Sequence, residues 1–171
     1  LTVSETTTVA QLNILNAETS GAITATVQEG DYSTLNTLEG TNNVYAITLT
    51  ESITVSQANT LAAKTTGVVT ATLSTGDMAT LAGLNETGNA YTVTVTDTSA
   101  TAAALTTLDG KTTVAVTASA VTSLSGTATE VKAAYTADAA GTIVLDNDEA
   151  VSVSGSVSVA DANIIAGKTS G

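Results

Sequence analysis

Short runs of alternating apolar and polar residues recur along the chain, and each is followed by a run in which apolar residues stand three apart. Tyr45-Ala46-Ile47-Thr48-Leu49-Thr50 and Tyr91-Thr92-Val93-Thr94-Val95-Thr96 are the clearest alternating runs. Tyr, Ile, Val and Leu point one way and Thr the other, the period-2 signature of a half-buried strand rich in β-formers. A Ser, Thr or Asp then precedes a run such as Met78-Ala79-Thr80-Leu81-Ala82-Gly83-Leu84, which predicts a short helix with an N-cap. Gly21, Gly40, Gly67, Gly88 and Gly110 fall where helix C-caps are expected.

The pattern repeats. At an offset of 46, Val9, Gln11, Asn13, Leu15, Ala17, Thr19 and Gly21 fall on Val55, Gln57, Asn59, Leu61, Ala63, Thr65 and Gly67. The same offset carries Gly30-Asp31 onto Gly76-Asp77, Leu35 and Leu38 onto Leu81 and Leu84, and Tyr45 onto Tyr91. Leu12-x-x-Leu15, Leu35-x-x-Leu38, Leu81-x-x-Leu84 and Leu105-x-x-Leu108 each follow an alternating run by a similar distance. Each block therefore splits in two, and the underlying period is about 23 residues. Seven repeats follow: 1–22, 23–44, 45–67, 68–90, 91–113, 114–148 and 149–171, the sixth lengthened by an insertion near 136–148.

A strand and a helix of this length cannot bury their apolar faces alone, so neighbouring repeats are expected to stack, strand on strand in parallel with helices layered over one face. The fold class predicted is α/β, a right-handed βα solenoid of about seven repeats with a parallel sheet. About 23 residues leave room for one strand, one short helix and two tight links, as in leucine-rich repeats, whose Asn ladder is not evident here. Val151, Val153, Val157, Val159, Asn163, Ile165 and Gly171 stand 104 residues after Ile47, Leu49, Ile53, Val55, Asn59, Leu61 and Gly67, so the last repeat is in phase with an internal one. Leu1 and Val3 stand 46 before Ile47 and Leu49. Neither end carries a polar capping element, so the expectation is a segment of a longer array or copies that self-associate end to end.

Composition narrows the core and the chemistry. The hydrophobic fraction of 43 % is ample for burial, but with four Tyr, one Met and no Phe or Trp the core must be thin and aliphatic. A net charge of -12, with four Lys and no Arg, excludes nucleic acid as a partner, because phosphate binding needs clustered cations. It argues equally against an anionic membrane surface, and no apolar run approaches the roughly 18 residues of a spanning helix, so no membrane insertion is expected. Without Cys there is neither a disulfide framework nor a thiolate metal site, and without His no side chain titrates near neutrality by default.

Leu105-Thr-Thr-Leu-Asp-Gly-Lys-Thr-Thr and Val116-Thr-Ala-Ser-Ala-Val-Thr-Ser-Leu-Ser-Gly-Thr-Ala-Thr-Glu-Val resemble tandem repeats of giant secreted surface proteins of marine cyanobacteria, and the resemblance covers nearly the whole chain. It implies type I secretion and an extracellular or cell-surface location. Such proteins also carry calcium-binding repeats-in-toxin nonapeptides of the form Gly-Gly-x-Gly-x-Asp, and none occurs in this sequence.

Candidate sites are few. Asp31 and Asp77 stand just before helices, where a carboxylate caps free backbone N–H groups. Lys64, Lys168 and Lys111 lie near helix C-termini, where a cation meets free carbonyls. In Asp146-Asn147-Asp148-Glu149, the residues Asp146, Asp148 and Glu149 offer oxygens for calcium, the one cofactor the sequence suggests; the other reading is a solvated turn. Thr24, Thr26, Thr48, Thr50, Thr70, Thr72, Thr92, Thr94 and Thr96 are expected to stack as ladders on the exposed sheet face, about 7 Å apart along a strand and 4.8 Å between strands. Such an array could bind ice, carry sugars or contact a neighbouring filament or cell surface, or Thr could simply be a soluble β-former. The sequence thus points to a structural fibre, coat or filament segment, with an adhesin or binding module as the alternative and no catalytic constellation.

Overall fold

The computed structural model describes residues 1–171. The chain is α/β: seven helices alternate with parallel strands, and it folds into two compact bodies, 1–74 with 83–92 and 75–82 with 93–171. The first body holds a five-stranded parallel sheet whose order follows the chain: β1 (Thr2–Thr7), β2 (Thr24–Val27), β3 (Val44–Ile53), β4 (Val69–Leu73) and β5 (Ala90–Thr92). Its helices are α1 (Val9–Glu18), α2 (Tyr32–Leu35) and α3 (Val55–Ala62). The inward row along these strands is Ile23, Ala25, Val27, then Tyr45, Ile47, Leu49, then Val69, Ala71, Leu73, all buried, as the alternation predicts.

The second body contains α4 (Met78–Leu81), α5 (Ala102–Asp109), α6 (Ala128–Ala140) and α7 (Val159–Ala166). Here the strands are divided between two sheets. β6 (Ser99–Thr101), β8 (Ser123–Thr127) and β10 (Ala150–Ser154) form one parallel sheet, ordered β10-β8-β6, while β7 (Val116–Thr117) pairs with β9 (Ile143–Val144). Val116, Val121, Leu124, Val131, Tyr135 and Ile143 fill its core. The insertion of the sixth repeat carries α6 past residue 136 to a stop at Gly141 in the left-handed conformation (φ 76°) and adds β9.

Every helix starts on Ser, Thr or Asp, and the side chain accepts the N3 amide: Thr8, Asp31, Thr54, Asp77, Thr101, Thr127 and Ser158. The C-termini differ from expectation. Of the five glycines expected as C-caps only Gly110 takes that place; Thr19, Asn36, Ala63 and Ala82 cap the other four helices. Gly40 and Gly88 lie beyond α2 and α4 with φ of 81° and 83°, so they serve turns that need the left-handed region, not the caps themselves.

Candidate functional site

The nine threonines of the expected face are all exposed. Their register, however, breaks the ladders. Thr24 pairs with Thr2 on one side but Val44 on the other, and Thr26 with Thr6 but Ala46. Thr48 pairs with Thr70, which then meets Ala90, and Thr72 with Ser52 and Thr92. Threonine therefore neighbours threonine across only one strand boundary at a time within the five-stranded sheet. In the second body Thr94 bridges Thr117.

A bulge accounts for Ser52, and not Thr50, facing Thr72. In β3 the pairing to β4 jumps from Thr48 to Ser52, so Leu49, Thr50 and Glu51 bow out of the ladder. Those residues have another task. Thr50 N and Oγ1 both donate to the Gly30 carbonyl, at 2.9 and 3.2 Å, and the Glu51 carboxylate accepts the first amide of α2, from Tyr32 N at 2.7 Å. Thr96 N likewise donates to Gly76 O at 2.9 Å, and Asp97 accepts from Met78 N at 2.7 Å. Thr50 and Thr96 thus brace the preceding repeat's turn.

The acidic segment is divided by burial. Glu149 is fully buried and its carboxylate accepts from Tyr135 Oη at 2.9 Å and from Asn147 N at 3.1 Å, whereas Asp146 and Asp148 are exposed. No group of three acidic side chains is placed to hold a metal ion. Burial and the neighbouring Glu149 carboxylate push the Tyr135 phenol well above its ordinary pKa. Offset by 104, Glu149 occupies the slot of Tyr45, and the chain folds around both alike: Thr169 Oγ1 donates to Glu149 O as Thr65 Oγ1 does to Tyr45 O.

Asp31 and Asp77 cap helices as expected, accepting from Thr34 N at 2.9 Å and Thr80 N at 2.8 Å. Hydroxyl donors hold both carboxyls below the ordinary range, Ser33 for Asp31 and Thr75 for Asp77, with the capped amides adding to the effect. Lys64 does not serve its own helix: its Nζ donates to Leu38 O of the preceding repeat at 3.0 Å. Lys132 of α6 pairs with Asp161 of α7.

Sequence reasoning missed the asparagines. Asn43 and Asn89, buried and 46 apart, accept the strand-starting amides Ile23 N and Val69 N at 2.8 and 2.9 Å. Asn13 and Asn59 clamp the repeat that follows them, each by two bonds. Asn13 donates to Thr37 O at 2.9 Å and accepts from Glu39 N at 3.0 Å, while Asn59 donates to Gly83 O at 2.7 Å and accepts from Asn85 N at 3.0 Å. The signal was visible, since polar residues matched at an offset of 46 alongside apolar ones, but a shared phase does not say what an amide reaches.

No helix is long and apolar enough to cross a membrane. Compared with known proteins, the chain matches no family model, no curated protein and no solved structure.

Proposed function

We propose that this chain is a non-catalytic structural repeat protein of the cell exterior, a segment of an elongated fibre, coat or filament built by solenoid stacking of strand-helix repeats. The observation that supports it best is the strand order of the first body, where each strand pairs in parallel with the next one in the chain. Stacked repeats produce that order because each contacts only its neighbours. The inter-repeat clamps fit the same reading: Asn13, Asn59, Glu51 and Lys64 each commit a polar side chain to an adjacent repeat's backbone. In a fibre or spacer such bonds fix the stacking geometry, and the acidic exterior keeps it soluble. The resemblance to secreted surface proteins supplies the extracellular part of the proposal.

A quasi-one-dimensional architecture makes a sharp demand: removing one whole double repeat leaves every remaining interface of a kind already present. Excising residues 9–54, which joins Thr8 to Val55 in phase, should therefore leave a folded protein with the same far-ultraviolet circular dichroism per residue and a cooperative unfolding transition. A globular domain with an indivisible core would unfold. An unfolded deletion variant refutes stacking.

A further inference from the structure

In the repeats whose own helix has eight residues or more, the fifth residue after the N-cap differs with the kind of repeat that comes next. Repeats 23–44 and 68–90 have helices of only four residues, α2 and α4, and the repeats before them carry Asn13 and Asn59 at this place. Where one long-helix repeat follows another, the place holds something else. Thr106 turns its hydroxyl back onto Ala102 O and Ala103 O of its own helix, and Lys132 reaches Asp161 on the next long helix. In repeat 149–171 the N-cap is Ser158 and the fifth residue is Asn163. Asn163 is exposed, and its side-chain amide makes no bond to the chain.

The apolar positions around Asn163 agree with it. Val157 is 43 % exposed where its counterpart Ile53 is 1 %, and Val159 is 79 % exposed where Val55 is 6 %. Val151 and Val153 hold the slots of Ile47 and Leu49, and Ile47 N donates to Val68 O at the start of a short-helix repeat, at 3.0 Å. Even the turn closing this repeat copies the internal one: Ser170 N donates to Asn147 O as Thr66 N does to Asn43 O, both at 2.9 Å.

We infer that the bare face of repeat 149–171 is a docking surface for a short-helix strand-helix repeat of the kind at 23–44 and 68–90, clamped by Asn163. This rests on the stacking reading above but goes further, because stacking alone does not select the kind of neighbour. The first repeat of a second copy, which carries the ten-residue α1, is the wrong kind. The incoming repeat adds a parallel strand to the free edge of β10, covers Val157 and Val159, and presents to Asn163 a backbone carbonyl and an amide two residues apart, as Thr37 with Glu39 and Gly83 with Asn85 do.

The test appends a second copy of residues 68–90 directly after Gly171, in the phase it has after Gly67, and compares it with an appended copy of the long-helix repeat 45–67. Amide hydrogen exchange at Val151 is read in both fusions and the parent, each with and without Asn163→Ala. The expected result is that the 68–90 fusion slows exchange at Val151 by about tenfold or more. Asn163→Ala should remove most of that protection while leaving the parent's exchange unchanged. Equal protection by the 45–67 fusion, protection indifferent to Asn163→Ala, or no protection in either fusion overturns the inference. So does self-association of the parent that Asn163→Ala abolishes. Failure of stacking itself shows separately, as unfolding of the 9–54 deletion.

Discussion

Thr65→Val tests the hydrogen bonds that close one repeat almost in isolation, because the two side chains share a shape. Thr65 is buried, 8 % exposed, and its Oγ1 accepts from Tyr45 N and from Gly67 N, both at 2.8 Å. Its single proton is shared between Tyr45 O at 2.9 Å and Asn43 O at 3.2 Å. Valine leaves both amides without an acceptor. An orphaned buried donor costs about 1–3 kcal/mol. Tyr45 N carries the upper part of that range, because its residue is 0 % exposed, and Gly67 N the lower part. The substitution should cost about 2–5 kcal/mol, whereas Thr65→Ser keeps the hydroxyl, loses one methyl and should cost about 1 kcal/mol. The same slot recurs with fewer bonds. Thr169 is half-buried, donates to Glu149 O at 2.6 Å and accepts from Gly171 N at 3.1 Å, while Thr19 accepts only from Gly21 N at 3.2 Å. The order of cost for Thr→Val should thus be position 65, then 169, then 19. Urea unfolding followed by circular dichroism measures the shifts, and amide exchange at Tyr45 reports the local effect. If Thr65→Val matches Thr65→Ser, or lies within about 0.5 kcal/mol of wild type, the hydroxyl is not what closes the repeat.

A Cβ at Gly30 would come within 2.7 Å of Thr50 Cγ2 and 3.2 Å of Thr48 O, so Gly30→Ala should lower stability by about 1–3 kcal/mol, and Thr50→Ser, which removes Cγ2, should restore part of it; absence of rescue in a double-mutant cycle rejects the contact. The folded pKa values of Asp31 and Asp77 lie below their ordinary values. The stability they contribute is therefore present above an ordinary carboxylate pKa of about 3.9 and is lost as pH falls through the lower folded values. Between pH 5 and 2 the melting temperature of wild type should fall more steeply than that of Asp31→Asn/Asp77→Asn, whose asparagines still cap; parallel curves would show that these caps do not titrate with folding. Burial, with a smaller contribution from Glu86, raises Tyr91 to about 12, so its stabilisation holds below an ordinary Tyr pKa of about 10 and fades as pH rises through 12; absorbance titration near 295 nm should find this late-ionising phenol. Millimolar calcium should leave the melting temperature unchanged, because Glu149 is committed to Tyr135 and Asn147 N, and a rise on calcium addition would restore the metal reading of Asp146, Asp148 and Glu149.

The alternating runs and the offset of 46 made the strands, helices and N-caps legible, because each rests on local rules: side chains alternate along a strand, and a Ser, Thr or Asp oxygen reaches an amide three residues ahead. Leu12, Leu35, Leu81 and Leu105, picked out by spacing, are each 0 % exposed. Register was another matter. The threonine ladders presumed a constant offset between strands, but β1 and β3 each slip by two residues partway along, and no single-strand pattern encodes a slip that exists only between two strands. The glycines beyond α2 and α4 were misplaced as caps for a similar reason, since a residue near a helix end and one in the turn beyond it look alike in one dimension.

By itself the sequence determined the period, the elements within it, the inward rows and the absence of His and Cys chemistry. Only the tertiary structure decided what the polar residues are for. Asn13, Asn59, Glu51 and Lys64 act on backbone atoms 19–26 residues away, brought within 3.0 Å or less by the fold. Their partners are main-chain groups, which every residue carries, so no side-chain pattern could name them. The structure likewise turned Glu149 inward and left Asn163 outward, although both stand in repeat slots that are filled or clamped elsewhere. Apolar periodicity shows which face is buried, because the hydrophobic effect is non-directional; a hydrogen bond is directional, and only coordinates say where it points.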